Sequence, residues 1–371
     1  VIEGVYGDAI VDTKFGKVKS KAEVVYGDSV TPDTPLLLRN KHTGFIEFKQ
    51  IDDMNHFEDW EPYDGFKAGE SNRREKQQKC VNDYEIYTSD GWSNIRRVIR
   101  HKTNKKIYRI NTHTGMVDVT EDHSLLDENL DKLKPDQAKI GMKLYHKYPE
   151  FKDSKLKLVD ILKYIKNIAS KSIEEKEAFI YGFFYGDGSC GSYNCPSGKK
   201  NSWALNQKNM ETTVILQSLC IEVFNEDFKI LDTLKSSGVY KIVPACGNIK
   251  KYVNMFREVC YNKDKFKIIP SIYLNSDIKF RLAYFAGYYW ADGAKCPNEK
   301  TKCIRMDNKG KIGSAMLYYL AKSLGFNVSL NTRKDKLNII RLTATTGSQR
   351  KNPNIIKKID YIGDSRDFVY D

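Results

Sequence analysis

The sequence predicts an α+β chain in which an all-β part is interrupted by a duplicated unit of alternating helices and strands. Three observations carry this. The first half consists of short β-branched and aromatic runs bounded by turn dipeptides, the periodicity turns helical from about Leu156, and one glycine–aromatic–aspartate motif occurs twice in the second half. At 371 residues the chain exceeds one ordinary core and suggests about two domains.

In chain order, Pro35–Arg39, Gly44–Gln50, Tyr84–Thr88, Arg96–His101 and Lys106–Asn111 read as strands, and Asp90-Gly91 and Thr114-Gly115 read as turns. Between them Phe66–Asn82 is polar and charged and reads as a solvated loop. After about residue 150, charged stretches such as Ser170–Glu177 precede apolar helical runs, so a domain boundary falls near there.

Composition narrows the function classes. No run approaches the roughly 18 apolar residues of a membrane helix and no signal pattern opens the sequence, so the expectation is a soluble, intracellular protein without a membrane partner. Lys and Arg number 61 against 48 Asp and Glu, a net charge of +13, and 23 tyrosines are available for stacking. That balance favours a polyanion, nucleic acid first, although a merely lysine-rich surface fits the same numbers. The eight cysteines are scattered. Cys190 with Cys195 and Cys296 with Cys303 lack the spacing and histidine partners of a zinc site, so free thiols are expected.

The repeat is the most informative feature. Ile180–Gly188 reads IYGFFYGDG and Ala286–Gly293 reads AGYYWADG, and an offset of 105 aligns Gly182 with Gly287 and Asp187 with Asp292. On helices, Gly182 and Gly186, and likewise Gly287 and Ala291, lie four apart on one face, which lets two such helices approach backbone to backbone. Asp187 and Asp292 then fall in the final turns, each before a glycine suited to a left-handed cap. Two carboxylates meeting at one end of the seam repel unless cations lie between them, which implies hard divalent metal, magnesium first. A carboxylate pair holding metal on a basic surface is equipment for phosphodiester hydrolysis. One copy alone reads more simply as a capped helix end; two in register favour duplication.

These residues resemble the LAGLIDADG homing endonucleases, with Phe285–Gly293 the better match and the first copy departing at Tyr181 and Gly186. The resemblance implies a pseudo-symmetric αββαββα arrangement per repeat, sheets gripping the major groove of double-stranded DNA, and Asp187 and Asp292 as the metal-binding catalytic pair. It also implies an assisting basic residue in each half, for which Lys334 and Lys336 are candidates.

The flanking sequence resembles an intein of a family-B DNA polymerase, with the horseshoe-shaped Hint splicing fold. Val25–Asp28 (VYGD) is similar to a polymerase strand-turn, Ser29 opens a run similar to the first intein motif, Arg100–Asp127 is similar to the second, and Asp367–Asp371 (DFVYD) is similar to the start of the penultimate one. The resemblance divides the chain into 1–28, a polymerase (N-extein) remnant; 29–150, the first part of the splicing domain; 151–345, the endonuclease; and 346–371, the second, incomplete part of the splicing domain.

The residue types suit the implied chemistry. The Ser29 hydroxyl can attack the Asp28 carbonyl in an N-to-O acyl shift, His123 can protonate the leaving amine, and Thr120 with nearby backbone donors can hold the carbonyl. Asp371 matches an aspartate that couples this step to transesterification. The sequence stops before the terminal His-Asn and downstream nucleophile of an intein, so complete cis-splicing is not expected of this polypeptide. A truncation, an unseen tail, or a split-intein fragment acting in trans with a C-terminal partner remain open. So does a decayed endonuclease that only binds DNA. The expected partners are the intein-free polymerase gene as double-stranded DNA and the polymerase segments flanking the intein, and the expected state is a monomer.

Overall fold

A computed structural model describes residues 29–54, 60–64, 75–151, 156–196, 198–245, 247, 249–293, 303–333, 339–346 and 352–371, and the backbone of an N-terminal hairpin pairing Asp8–Thr13 with Gly16–Lys21. The fold is α+β and divides into two compact units, Val1–Pro149 with Asn352–Asp371, and Glu150–Lys351.

Among the described residues, the regular structure of the first unit is β apart from one turn of 3-10 helix. Pro35–Asn40 buries alternate residues, as period-two patterning requires. It pairs with Ile46–Gln50 and with Tyr84–Thr88, which turns back into Gly91–Asn94. A second sheet runs Phe368–Tyr370, Arg97–Lys102, Gln77–Cys80, Glu61–Pro62, and a third places Lys106–Asn111 between Met116–Thr120 and Lys358–Asp364. Leu36, Leu38, Ile51, Val98, Ile110 and Val119 join Ile356 and Tyr370 in one core. The last twenty residues are therefore structural members of this unit. Inside it, Arg109 and the facing Asp118 form a buried bidentate pair, both N–H···O distances being 2.7 Å.

The end of the expected loop at Phe66–Asn82 is instead a strand, Gln77–Cys80, with Gln78 and Lys79 buried. Polar side chains fit there because they are partnered across the ladder. Arg100 Nε donates to Gln77 Oε1 at 2.8 Å, Arg97 bonds Gln78, and the Lys79 ammonium lies over the Trp60 ring.

In the second unit the first repeat runs helix Ile173–Asp187, strands Gly188–Cys195 and Gly198–Gln207, helix Met210–Phe224, strands Phe228–Thr233 and Val239–Pro244, and helix Ile249–Cys260, an αββαββα order with one helical turn, Leu234–Ser237, between the last two strands. The second repeat runs helix Ile278–Asp292, strand Cys303–Lys309, helix Lys311–Ser323, and strands Asn327–Thr332 and Ile339–Thr345. Its sheet order, Cys303–Lys309, Ile339–Thr345, Asn327–Thr332, matches that of Gly198–Gln207, Val239–Pro244, Phe228–Thr233 in the first. Helix Ile173–Asp187 starts in a capping box: Ser172 Oγ accepts from the Glu175 amide and the Glu175 carboxylate accepts from the Ser172 amide, each at 3.3 Å. From Ala178 to Tyr185 every residue is buried, the pattern of a central helix packed on all sides.

Candidate functional site

Each unit gathers its own set of chemistry-bearing residues. In the first unit Ser29 is fully buried, and its Oγ has no hydrogen-bond partner among the described residues. Two strands fix it. On one side the Thr120 amide donates to the Ser29 carbonyl at 3.0 Å and Val30 bridges Val119. On the other, Val30 and Tyr370 exchange backbone hydrogen bonds of 2.8 and 3.0 Å, so Asp371 is the residue across from Ser29. His123 follows on the turn after Thr120, its amide donating to the Thr120 carbonyl at 3.0 Å. Burial raises the neighbouring Asp122 carboxyl, but Lys105 and the Thr120 hydroxyl together bring it below its ordinary value. Asp28 lies outside the described residues, and the Thr120 amide serves the carbonyl of Ser29.

In the second unit the two motif helices touch backbone to backbone. A Cβ on Gly182 would lie 1.9 Å from the Tyr284 carbonyl oxygen, and one on Gly287 would lie 2.0 Å from that of Phe179. A Cβ on Gly186 would meet Ala291 Cβ at 2.7 Å and Asp292 Cβ at 3.1 Å. Both helices end at their aspartates, Asp187 and Asp292, so the carboxylates stand at the same end of the seam. Gly188 and Gly293 do not form the expected left-handed caps: both are extended, with φ −83° and −61°. Glycine is required there by space, since a Cβ would fall 2.2 Å from the Phe184 ring and 2.4 Å from the Tyr289 ring.

The seam end holds a residue that sequence reasoning missed. Lys267 is half-buried, and its Nζ donates to the carbonyl oxygens of Phe184, Tyr185, Gly186 and Gly188 at 2.7 to 3.0 Å. It satisfies the orphan acceptors at the end of the first motif helix and puts a positive charge there, favourable at a helix C-terminus. Burial brings its ammonium down to about 8, against the opposing pull of Asp187 and Asp292. The only sequence signal was a lysine set in the apolar run Phe266–Pro270. Burial also raises the Asp292 carboxyl, with Lys267 opposing and Asp307 adding to the rise. Asn206 Nδ2 donates to the Asp187 carbonyl at 2.7 Å. Asp307 is held low by a bidentate pair with Arg341 at 2.6 and 2.7 Å.

The donor set fits a hard cation: two carboxylates stand at the same end of facing helices, and burial with the nearby Asp307 charge raises one of them. Among the described residues no cluster of three or more His, Cys, Asp or Glu forms a larger metal site. Lys334, Lys336 and Cys296 lie outside the described residues, while Cys190, Cys195 and Cys303 are free thiols. No helix is long and apolar enough to cross a membrane among those residues.

An all-β unit closed around a buried serine, interrupted by a duplicated unit with paired aspartates at a glycine seam, is the architecture of an intein carrying a LAGLIDADG unit. The relatives include DNA polymerases and a replication factor C small subunit. The chain is 46% identical over 358 residues to a DNA polymerase of Acanthamoeba polyphaga mimivirus, covering 94% of this chain and 20% of that protein. It is 27% identical over 306 residues to a DNA polymerase of Thermococcus hydrothermalis, covering 78% of this chain and 17% of that protein. The chain thus spans about one fifth of the length of the curated relatives it matches. Among solved structures, the homing endonuclease I-DmoI in complex with DNA and Mn aligns with 47% of this chain and 91% of its own at 17% identity and a TM-score of 0.35. An intein from a hyperthermophile aligns with 32% and 70% at 17% identity and a TM-score of 0.25. No family model matches.

Proposed function

We propose that the chain is a DNA polymerase intein in which one unit rearranges the peptide bond at Asp28–Ser29 and the other cuts double-stranded DNA. The observation that carries the first part is Ser29, buried, its hydroxyl without a partner among the described residues, between the strand that ends at Thr120 and the one that leads into Asp371. An interior serine that leaves its hydroxyl unbonded forgoes about 1–3 kcal/mol, which a nucleophile awaiting its carbonyl explains. In the acyl shift the Oγ–C bond to Asp28 forms and the C–N bond to Ser29 breaks. The hydroxyl proton is lost and the amine gains one, so an ester and a free amine replace the amide. His123 is the donor to the amine, and Thr120 orients the junction.

Incubation with hydroxylamine is expected to release residues 1–28, visible by mass spectrometry, and Ser29→Ala is expected to release nothing. An unchanged mass in the folded wild-type chain overturns the splicing reading.

For the second unit, Asp187 and Asp292 would hold the divalent ion, magnesium being the choice that oxygen ligands favour. When bound, the ion supplies positive charge against the scissile phosphate. Lys267 holds the end of the first motif helix, and with it Asp187, in register with the facing helix. The substrate is the uninterrupted polymerase gene around the position that encodes Asp28. Supercoiled plasmid bearing that sequence is expected to be linearised with magnesium, while Asp187→Asn and Asp292→Asn should bind it without cutting. Binding without cleavage by the wild type overturns the nuclease reading.

A further inference from the structure

His101 takes no part in the chemistry above, yet it is 1% exposed and aimed at Asp371. Its Nδ1 lies 3.9 Å from Asp371 Oδ2, within ion-pair range and longer than a hydrogen bond. The ladder explains the meeting. Ile99 and Asp371 exchange backbone hydrogen bonds of 3.0 and 2.9 Å, and Val369 faces His101. His101 and Asp371 are therefore diagonal neighbours on one face of the pair, near enough for their side chains to interact. The same strand Phe368–Tyr370 bridges Val30, which sets Asp371 beside Ser29. His101, Asp371 and Ser29 thus follow one another across strand Arg97–Lys102, the end of strand Phe368–Tyr370 and the segment bridged to it at Val30.

We propose that His101 is a positioning residue for Asp371 in the ester-forming step; this rests on the splicing reading of Ser29. A carboxylate beside the attacking hydroxyl takes the Oγ proton as the Oγ–C bond to Asp28 forms, and it must present one oxygen in the right direction to do so. A buried imidazole N–H on its far side fixes that direction, as the partner of a base does in other nucleophilic sites. His101 acts through Asp371 and does not reach the reacting atoms.

The side-chain nitrogen concerned is Nδ1, and asparagine places an amide N–H near that position whereas glutamine places one near Nε2. In the full chain treated with hydroxylamine, His101→Asn should release residues 1–28 within about 3-fold of the wild-type rate. His101→Gln and His101→Ala should be about 10- to 100-fold slower, the usual cost of losing an orienting partner. Adding His101→Ala to Asp371→Ala should slow release no further than Asp371→Ala alone. Thermal melts accompany each variant. Wild-type release with equal rates for His101→Asn, His101→Gln and His101→Ala overturns the assignment, and so does loss of folding in all three. No release by the folded wild type overturns the reading of Ser29 and this assignment with it. Release that is lost in Ser29→Ala yet unaffected by His101 overturns this assignment alone.

Discussion

Replacing Gly182 by alanine will push two helix backbones apart. The new Cβ would stand 1.9 Å from the Tyr284 carbonyl oxygen and 2.7 Å from its carbon, where ordinary contact begins near 3.4 Å. Neither obstacle is a side chain that can swing away, so the seam must open by the difference. Overpacking of this kind costs about 3 kcal/mol or more when backbone is the obstacle. Intrinsic propensity argues the other way, since alanine is favoured over glycine in a helix by about 1 kcal/mol. The sign of the effect therefore separates the two accounts. In urea, with a slope of about 1–3 kcal/mol/M, a net loss of about 2 kcal/mol lowers the midpoint by roughly 1 M. Gly287→Ala should match it, meeting Phe179 O at 2.0 Å, and Gly186→Ala should cost less because its obstacle is the Ala291 methyl at 2.7 Å. DNA cutting should fall with the midpoint, because this seam sets the register between Asp187 and Asp292. A Gly182→Ala chain as stable as the wild type, or more so, refutes the backbone contact.

Two further substitutions test buried charge. Lys267→Met removes the donor to four carbonyl oxygens at the end of the first motif helix, and urea unfolding should show a loss of about 3 kcal/mol, with unchanged stability ruling out the cap. Arg109→Met strands the Asp118 carboxylate, 2% exposed, and should cost the first unit about 3–5 kcal/mol in the same assay; replacing both partners with apolar residues of similar volume should recover most of it.

What could be read from the sequence follows from how local each cause is. The motif helices were legible because their apolar runs, glycines and terminal aspartates act within one stretch of chain. The capping box at Ser172 and Glu175 is equally local. The strand Gln77–Cys80 was read as loop because its polar side chains are satisfied by Arg97 and Arg100, partners about twenty residues away that composition cannot see. Gly188 and Gly293 suggest a left-handed cap by sequence, whereas close approach of Phe184 and Tyr289, ring and backbone alike, is what leaves no room for a Cβ. Lys267 and His101 were missed for one reason: each is a lone residue whose meaning lies in what the fold brings to it, carbonyl oxygens some eighty residues upstream and a carboxylate near the end of the chain.

The pairing of Lys106–Asn111 with Lys358–Asp364 has a consequence for order in time. Thr114 Oγ1 donates to Asn354 Oδ1 at 2.6 Å across 240 residues of sequence, and Val30 is locked only when Tyr370 arrives. At about 5–20 residues per second, a ribosome takes roughly ten seconds to a minute to synthesise the stretch between those partners. The inner unit, dense in sequence-local hairpins and helices, can fold during that interval, whereas the pocket around Ser29 stays open on the side that the last strand must close. Assembly of the surroundings of Ser29 is thereby deferred until the inner unit has been synthesised, so that the interruption acts as a delay line built from chain length alone.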